Sequence, residues 1–180
     1  GWNIDTFDMP YLYNRICKVV GKNVADMISP IQIVHWNKHR KRYIFAGVSC
    51  LDYYALYRLF TYTQLSSYRL DAVAEKELGE NKIEYDGTLN DLYENDINKF
   101  VEYNIHDVRL VKRMHDKLDF IDMARGVCHV GHVPYEDVFF SSRYLEGAIL
   151  VYLKKLGVVA PNKPPRPESM GDDKFAGAYV

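Results

Sequence analysis

The sequence predicts an α/β domain in which helices outnumber strands. Residues 96–114 repeat apolar side chains at the helical period of about 100° per residue. Residues 31–36 and 42–48 are rich in β-branched and aromatic side chains and flank a polar turn at 37–40, the pattern of a β-hairpin. Glycines and prolines divide most of the remaining chain into segments that read as helices.

The first helix is expected over residues 8–20, with Pro10 tolerated in its first turn and Gly21 ending it. Asp8 or Thr6 could cap it. A short helical turn over 24–28 stops at Ser29 and Pro30, and the hairpin follows. Residues 51–60 read as a helix capped near Ser49, and residues 67–78 as another with Gly79 just past its end. Residues 82–87 form a short extended stretch, 88–93 a short helix, and 96–114 the long amphipathic helix. Beyond residue 118 the pattern shortens: 120–124, 135–140 and 141–156 read as helical pieces broken by Gly126, Gly131 and Pro134. Residues 162–173, with prolines and charges, read as an exposed connector. A soft boundary near residue 120 separates residues 1–120 from residues 121–180.

The chain has 180 residues, enough for one sizeable domain or one domain with an appendage. A formal net charge of −1 argues neither for nor against a polyanionic partner, so only local patches can. The 15 tyrosines suit stacking on bases or lining a wet groove, and equally the packing of half-buried faces. Cys17, Cys50 and Cys128 form neither a C-x-x-C pair nor an even framework, which points to reduced thiols in a cytosolic compartment and suggests no zinc site. No apolar run is long enough to span a membrane, and the opening residues lack the features of a signal peptide. The chain opens without Met and closes on residues that read as the start of a strand, as expected of a piece of a longer polypeptide.

Within the long helix, Phe100, Val108, Val111 and Met114 line one side, extended by Ile97 and Val101, while Asn98, Glu102, His106, Arg109 and Arg113 take the other. Asp107 falls inside the apolar arc, with Tyr103 one turn earlier near its edge. A buried carboxylate requires a cation, a metal or hydrogen-bond donors. A structural ion pair, a cap for a neighbouring helix and a functional ligand all satisfy that requirement. At the hairpin turn, Lys38, Arg40, Lys41 and Arg42 interleave with His35, Trp36, His39 and Tyr43. Such a mixture could meet a phosphate backbone and unstacked bases, and a solvated hairpin tip has the same composition.

Asn3, Phe7 and Asp8 form N-x-x-x-F-D ahead of a helix, and Tyr103 and Asp107 form Y-x-x-x-D about a hundred residues later. Together these resemble the second and third exonuclease motifs of family B DNA polymerases. The runs around them, Leu51-Asp-Tyr-Tyr-Ala-Leu-Tyr57, Ser67-Tyr-Arg-Leu-Asp71, Tyr85-Asp-Gly87 and Tyr103-Asn-Ile-His-Asp-Val108, are similar in order and spacing to the replicative polymerases of tailed phages. The closing Gly177-Ala-Tyr-Val180 is similar to the strand that leads into the polymerase palm.

The resemblance implies a ribonuclease H-like exonuclease fold, here without its first strands, with a β-hairpin insertion and a helical segment leading to the palm. Residues 1–120 would be the C-terminal part of the exonuclease domain, and 121–180 the connector and start of the palm. It implies proofreading 3′–5′ hydrolysis through two divalent ions, Mg²⁺ or Mn²⁺, for which carboxylates are suitable ligands. Asp8 and Asp107 would be metal ligands, Tyr103 would orient the attacking water, Asn3 would contact the nucleic acid, and Phe7 would pack behind the site. For Asp8 an N-cap role, worth about 1 kcal/mol, competes. The hairpin stands where phage members carry one that helps part primer from template, with Lys38, Arg40, Lys41 and Arg42 as its DNA contacts.

The implied partners are DNA (a single-stranded 3′ end and primer-template), the remainder of the polymerase chain and a sliding clamp, in the host cytoplasm and away from membranes. The family's first motif, D-x-E, does not occur in this chain, so the chain alone is expected to be inactive. An alternative is a nucleic-acid-binding or architectural module of a polymerase whose exonuclease is inactive.

Overall fold

The computed structural model describes residues 1–80, 83 and 85–162. Its elements are α1 (Asp8–Val20), α2 (Lys22–Asp26), β1 (Val34–Asn37), β2 (Arg42–Phe45), α3 (Tyr53–Phe60), α4 (Leu70–Leu78), α5 (Leu89–Asn95), α6 (Ile97–Leu118), α7 (Phe120–Gly131), a 3-10 turn (Tyr135–Phe139) and α8 (Ser141–Lys155). Among the described residues the sheet is the two-stranded hairpin, β1 against β2, antiparallel. The architecture is a mostly helical α/β arrangement. The extended stretch expected over 82–87 lies partly outside the described residues, and the residues of it that are described form no strand. The expected connector beyond residue 162 and the closing Gly177-Ala-Tyr-Val180 also lie outside them.

The smaller of two cores joins α1, α2 and the hairpin around Tyr13, Ala25 and Phe45. Gly21 lies between the two helices at φ 93°, a left-handed region open to glycine at little cost, and its N–H bonds the Cys17 carbonyl. The Tyr13 hydroxyl donates to Asp26 Oδ1 at 2.6 Å, while its ring lies 4.6 Å from that of Tyr43. Buried Ser29 anchors the hairpin base: its hydroxyl donates to the Ala46 carbonyl and accepts from the Ile33 N–H. At the tip, Asn37 Oδ1 accepts from the N–H groups of His39 and Arg40, an Asx turn closing the loop.

The larger core is built by α3, α4, α6, α7 and the 3-10 turn, with Tyr53, Leu56, Tyr57, Val73, Leu110, Met114, Phe120, Cys128 and Val138 buried in it. It runs continuously from residues before the α6–α7 joint to residues after it. Asp119 makes that joint at φ 55°.

Several boundaries move for identifiable reasons. α3 starts at Tyr53 and is capped by Asp52, which accepts the Tyr54 N–H, rather than near Ser49. α4 starts at Leu70 and ends at left-handed Gly79 as expected. α5 opens with a reciprocal capping box between Thr88 and Asp91. α7 runs through Gly126, because burial of Ala124 and Cys128 on its core face outweighs the roughly 1 kcal/mol that glycine costs a helix.

The long helix packs a face rotated from the one its periodicity predicts. Leu110 and Met114 are buried and Val111 is half-buried, whereas Val108 is 71% exposed and Ile97 and Val101 are also exposed. His106, expected on the solvent side, is half-buried. Apolar periodicity shows which side chains can be buried, and the neighbours that pack on a helix decide which ones are. Tyr103 and Asp107 remain on the half-buried side.

Candidate functional site

A cleft of about 1120 Å³ brings the two sequence motifs together. Asn3, Phe7 and Asp8 reach it from the opening segment and the first turn of α1; Tyr103 and Asp107 reach it from α6. Tyr54 of α3, the turn into α4 and residues 83, 85 and 86 complete its lining.

The opening segment is placed by one buried side chain. Asp52, 3% exposed, accepts the Asn3 N–H at 2.8 Å and the Tyr54 N–H at 3.0 Å through Oδ1, while Oδ2 faces the Asp5 N–H at 3.5 Å. One carboxylate therefore caps α3 and clamps the N-x-x-x-F-D segment against it. Asn3 takes a left-handed φ of 60°, which asparagine tolerates, and its Oδ1 accepts the Thr6 hydroxyl at 2.8 Å. Asp5 forms a largely buried ion pair with Arg42 of the hairpin.

Burial pushes the Asp52 carboxyl above the ordinary aspartate value of 3.8, against the N–H groups that favour its charge. A folded pKa above the unfolded one contributes stability that is full below pH 3.8 and is lost as pH rises through the folded value. Asp52→Ala should lower unfolding free energy by about 2 kcal/mol, since it removes both a cap and a clamp. Asp52→Asn, which keeps the Oδ1 acceptor, should cost less than about 1 kcal/mol at neutral pH and flatten the acid side of the stability profile. Urea unfolding across pH checks both.

Asp8 is the first residue of α1, exposed, and not its cap: Phe7 takes the N-cap position and no side chain caps the helix. The competing N-cap role is thereby removed. Phe7 does not pack behind the site. It is 68% exposed, lines the cleft and stacks on Tyr11 at 6.3 Å between centroids. Tyr103 and Tyr85, both lining the cleft, pack nearly perpendicular with ring centroids 5.2 Å apart. Asp71 and Asp86 also line the cleft, making four aspartates with Asp8 and Asp107. Neither was a sequence candidate, although each sits in a family-like run, Ser67–Asp71 and Tyr85–Gly87; the signal was position within a motif rather than residue chemistry.

Residues 1–73 match the model of the DNA polymerase family B exonuclease domain. The DNA-directed DNA polymerase of Escherichia phage RB69 is 32% identical over 187 residues, covering 100% of this chain and 20% of the relative. That of Enterobacteria phage T4 is 33% identical over 186 residues, with the same coverage. The chain belongs to the family B DNA polymerases. A more distant relative, the DNA polymerase of guinea pig cytomegalovirus, is 28% identical over 162 residues, which is 81% of this chain and 14% of that protein. The chain thus spans about a fifth of the length of its phage relatives.

The exonuclease family carries divalent-metal chemistry, and the cleft of this polymerase segment suits it: Asp8 and Asp107 offer hard oxygen donors from two different elements. A His/Asp grouping with donor atoms within 4.8 Å of one another lies elsewhere, where His115, Asp119 and Asp122 meet at the α6–α7 joint. None of the three lines the cleft.

The hairpin cations do not reach the cleft either. Arg40 lies over the Phe140 ring at 4.3 Å and Arg42 pairs with Asp5, so both guanidinium groups have structural contacts. Lys38 and Lys41 are exposed at the tip. No helix among the described residues is long and apolar enough to cross a membrane.

Proposed function

We propose that this chain is the C-terminal part of a proofreading 3′–5′ exonuclease with a ribonuclease H-like fold, within a replicative DNA polymerase. The observation that carries the reading is the convergence of Asn3 and Asp8 with Tyr103 and Asp107 on one cleft, from segments about a hundred residues apart. Residues 1–120 form the exonuclease part, and 121–180 the connector towards the palm. Asp8 and Asp107 hold Mg²⁺ or Mn²⁺, which when bound activates a water and stabilises the leaving oxygen of the phosphodiester. The Tyr103 hydroxyl holds the attacking water in line, and Asn3 contacts the nucleic acid near its 3′ end. The remaining carboxylates, a D-x-E pair that this chain lacks, belong to upstream polypeptide. The substrate is a single-stranded 3′ end frayed from primer-template DNA. The partners are the rest of the polymerase chain and a sliding clamp, and the setting is the cytoplasm of an infected host. Lys38, Arg40, Lys41 and Arg42 place the hairpin near DNA, with Lys38 and Lys41 the contacts open to phosphate.

The test is trimming of 3′ ends by the chain extended upstream through a D-x-E strand. Trimming should require Mg²⁺ or Mn²⁺, and Tyr103→Phe should lower kcat about 100-fold with little change in KM. Full-rate trimming by Tyr103→Phe, or trimming unaffected by chelation, would overturn the assignment. An extended chain that binds DNA and never trims it would favour the architectural module.

A further inference from the structure

The joint between α6 and α7 gathers three metal-ligating side chains that the cleft does not use. His115 stands in the last turn of α6, Asp119 between the two helices, and Asp122 in the first turn of α7. Each offers a donor atom within 4.8 Å of the other two. The imidazole is packed in place, since the buried Tyr53 ring meets it edge-on at 6.0 Å and 73°. Its Nδ1 is buried and has no hydrogen-bond partner among the described residues. A buried polar nitrogen without a partner is costly, so it points to a ligand. The carboxylates point the same way, because two like charges this close repel unless a cation lies between them. Arg125 neutralises one of them: it pairs with Asp122 Oδ1 at 2.7 Å, both side chains being about half exposed. Surface pairs of that kind are weak and yield to a stronger cation. The cysteine spacing gave no sign of this grouping, because no cysteine takes part in it.

We propose that His115, Asp119 and Asp122 form a Zn²⁺ site that ties the end of α6 to the start of α7. An imidazole with two carboxylates suits Zn²⁺ better than Mg²⁺, which prefers an all-oxygen shell. Three protein ligands leave a fourth tetrahedral position for water. The site lies outside the cleft and stands apart from the exonuclease reading. Zn²⁺ bound there stabilises the folded chain by mass action, and with it the joint at the end of the helix that carries Tyr103 and Asp107.

The test is calorimetric titration of the chain with Zn²⁺ in millimolar Mg²⁺, which occupies sites made of oxygen alone. A single Zn²⁺ should bind with micromolar Kd. His115→Gln should raise that Kd about 100-fold, and Asp122→Asn about tenfold or more. Zn²⁺ should raise the Tm of the wild-type chain by about 5 °C and leave that of either variant unchanged. Unfolding scans without Zn²⁺ show that the variants are folded, and exposed Asp122 supplies the test should His115→Gln unfold. In NMR of the imidazole rings, the largest Zn²⁺-induced shift should fall on His115. Wild-type affinity in folded His115→Gln or Asp122→Asn would overturn the site, as would a shift confined to another histidine or the absence of any binding. Displacement of Zn²⁺ by Mg²⁺ at equal concentration would overturn the assignment to zinc.

Discussion

Asp107→Ala, in the chain extended upstream through a D-x-E strand, should abolish 3′ trimming while leaving the protein folded. The half-buried carboxylate lies on the packed side of α6 and lines the cleft with Tyr103, so on the proposed reading its loss removes a metal ligand rather than a core side chain. Losing a residue that merely supports a metal ligand costs about 10- to 100-fold in affinity or activity, and loss of the ligand itself should exceed that. Asp8→Ala should match it, because Asp8 is exposed at the start of α1 and caps nothing. Asp71→Asn and Asp86→Asn, which alter the cleft's charge without touching either motif, should have smaller effects on kcat. Single-turnover trimming with thermal unfolding of each variant separates chemistry from stability. Trimming within tenfold of wild type in both Asp8→Ala and Asp107→Ala would remove the two residues from the reaction.

The largest loss of stability is expected from Tyr57→Ala, at about 3–5 kcal/mol. Tyr57 is fully buried in the larger core, with Phe120 at 6.1 Å, Tyr68 at 6.4 Å and Trp2 at 6.0 Å. Its hydroxyl donates to Glu77 Oε1 at 2.7 Å, and burial together with that bond keeps it protonated far above the ordinary tyrosine range. Truncation leaves a cavity where α3, α4 and α7 meet and removes the support beneath the cleft aromatics. A loss of that size should lower Tm by roughly 10 °C. Tyr57→Phe should cost only about 1 kcal/mol, since Glu77 keeps Lys117 at 3.7 Å and Lys76 at 4.0 Å. Calorimetry of the two variants tests the division between cavity and hydrogen bond, and comparable losses from both would show that the hydroxyl, not the ring, dominates.

Most helices were legible because their signals are local. Pro10 and Gly21 frame α1, Gly79 ends α4, and Asn37 closes the hairpin turn, all through backbone preferences of single residues. The cap of α3 was misplaced because Ser49 and Asp52 are both competent caps, and only Asp52 lies where it can also take the Asn3 N–H. The packed face of α6 was only partly legible. Ile97, Val101 and Val108 are as apolar as Val111 and Met114, and nothing along the helix says which of them a neighbour will cover.

By itself the sequence determined the polymerase family, through N-x-x-x-F-D, Y-x-x-x-D and the runs around them, and it singled out the asparagine, the tyrosine and the two aspartates as the candidates for the proposed chemistry. Tertiary structure alone decided their meeting. The buried Asp52 clamp ties the opening segment to α3, and the larger core seats α6 so that Tyr103 and Asp107 open onto the same cleft as Asp8. It also decided that Phe7 is exposed, that Arg40 and Arg42 turn to Phe140 and Asp5, and that Asp71 and Asp86 join the cleft. The reason is that residue spacing sets side-chain direction only within a helix or strand. Across about a hundred residues, the packing of buried side chains sets distance.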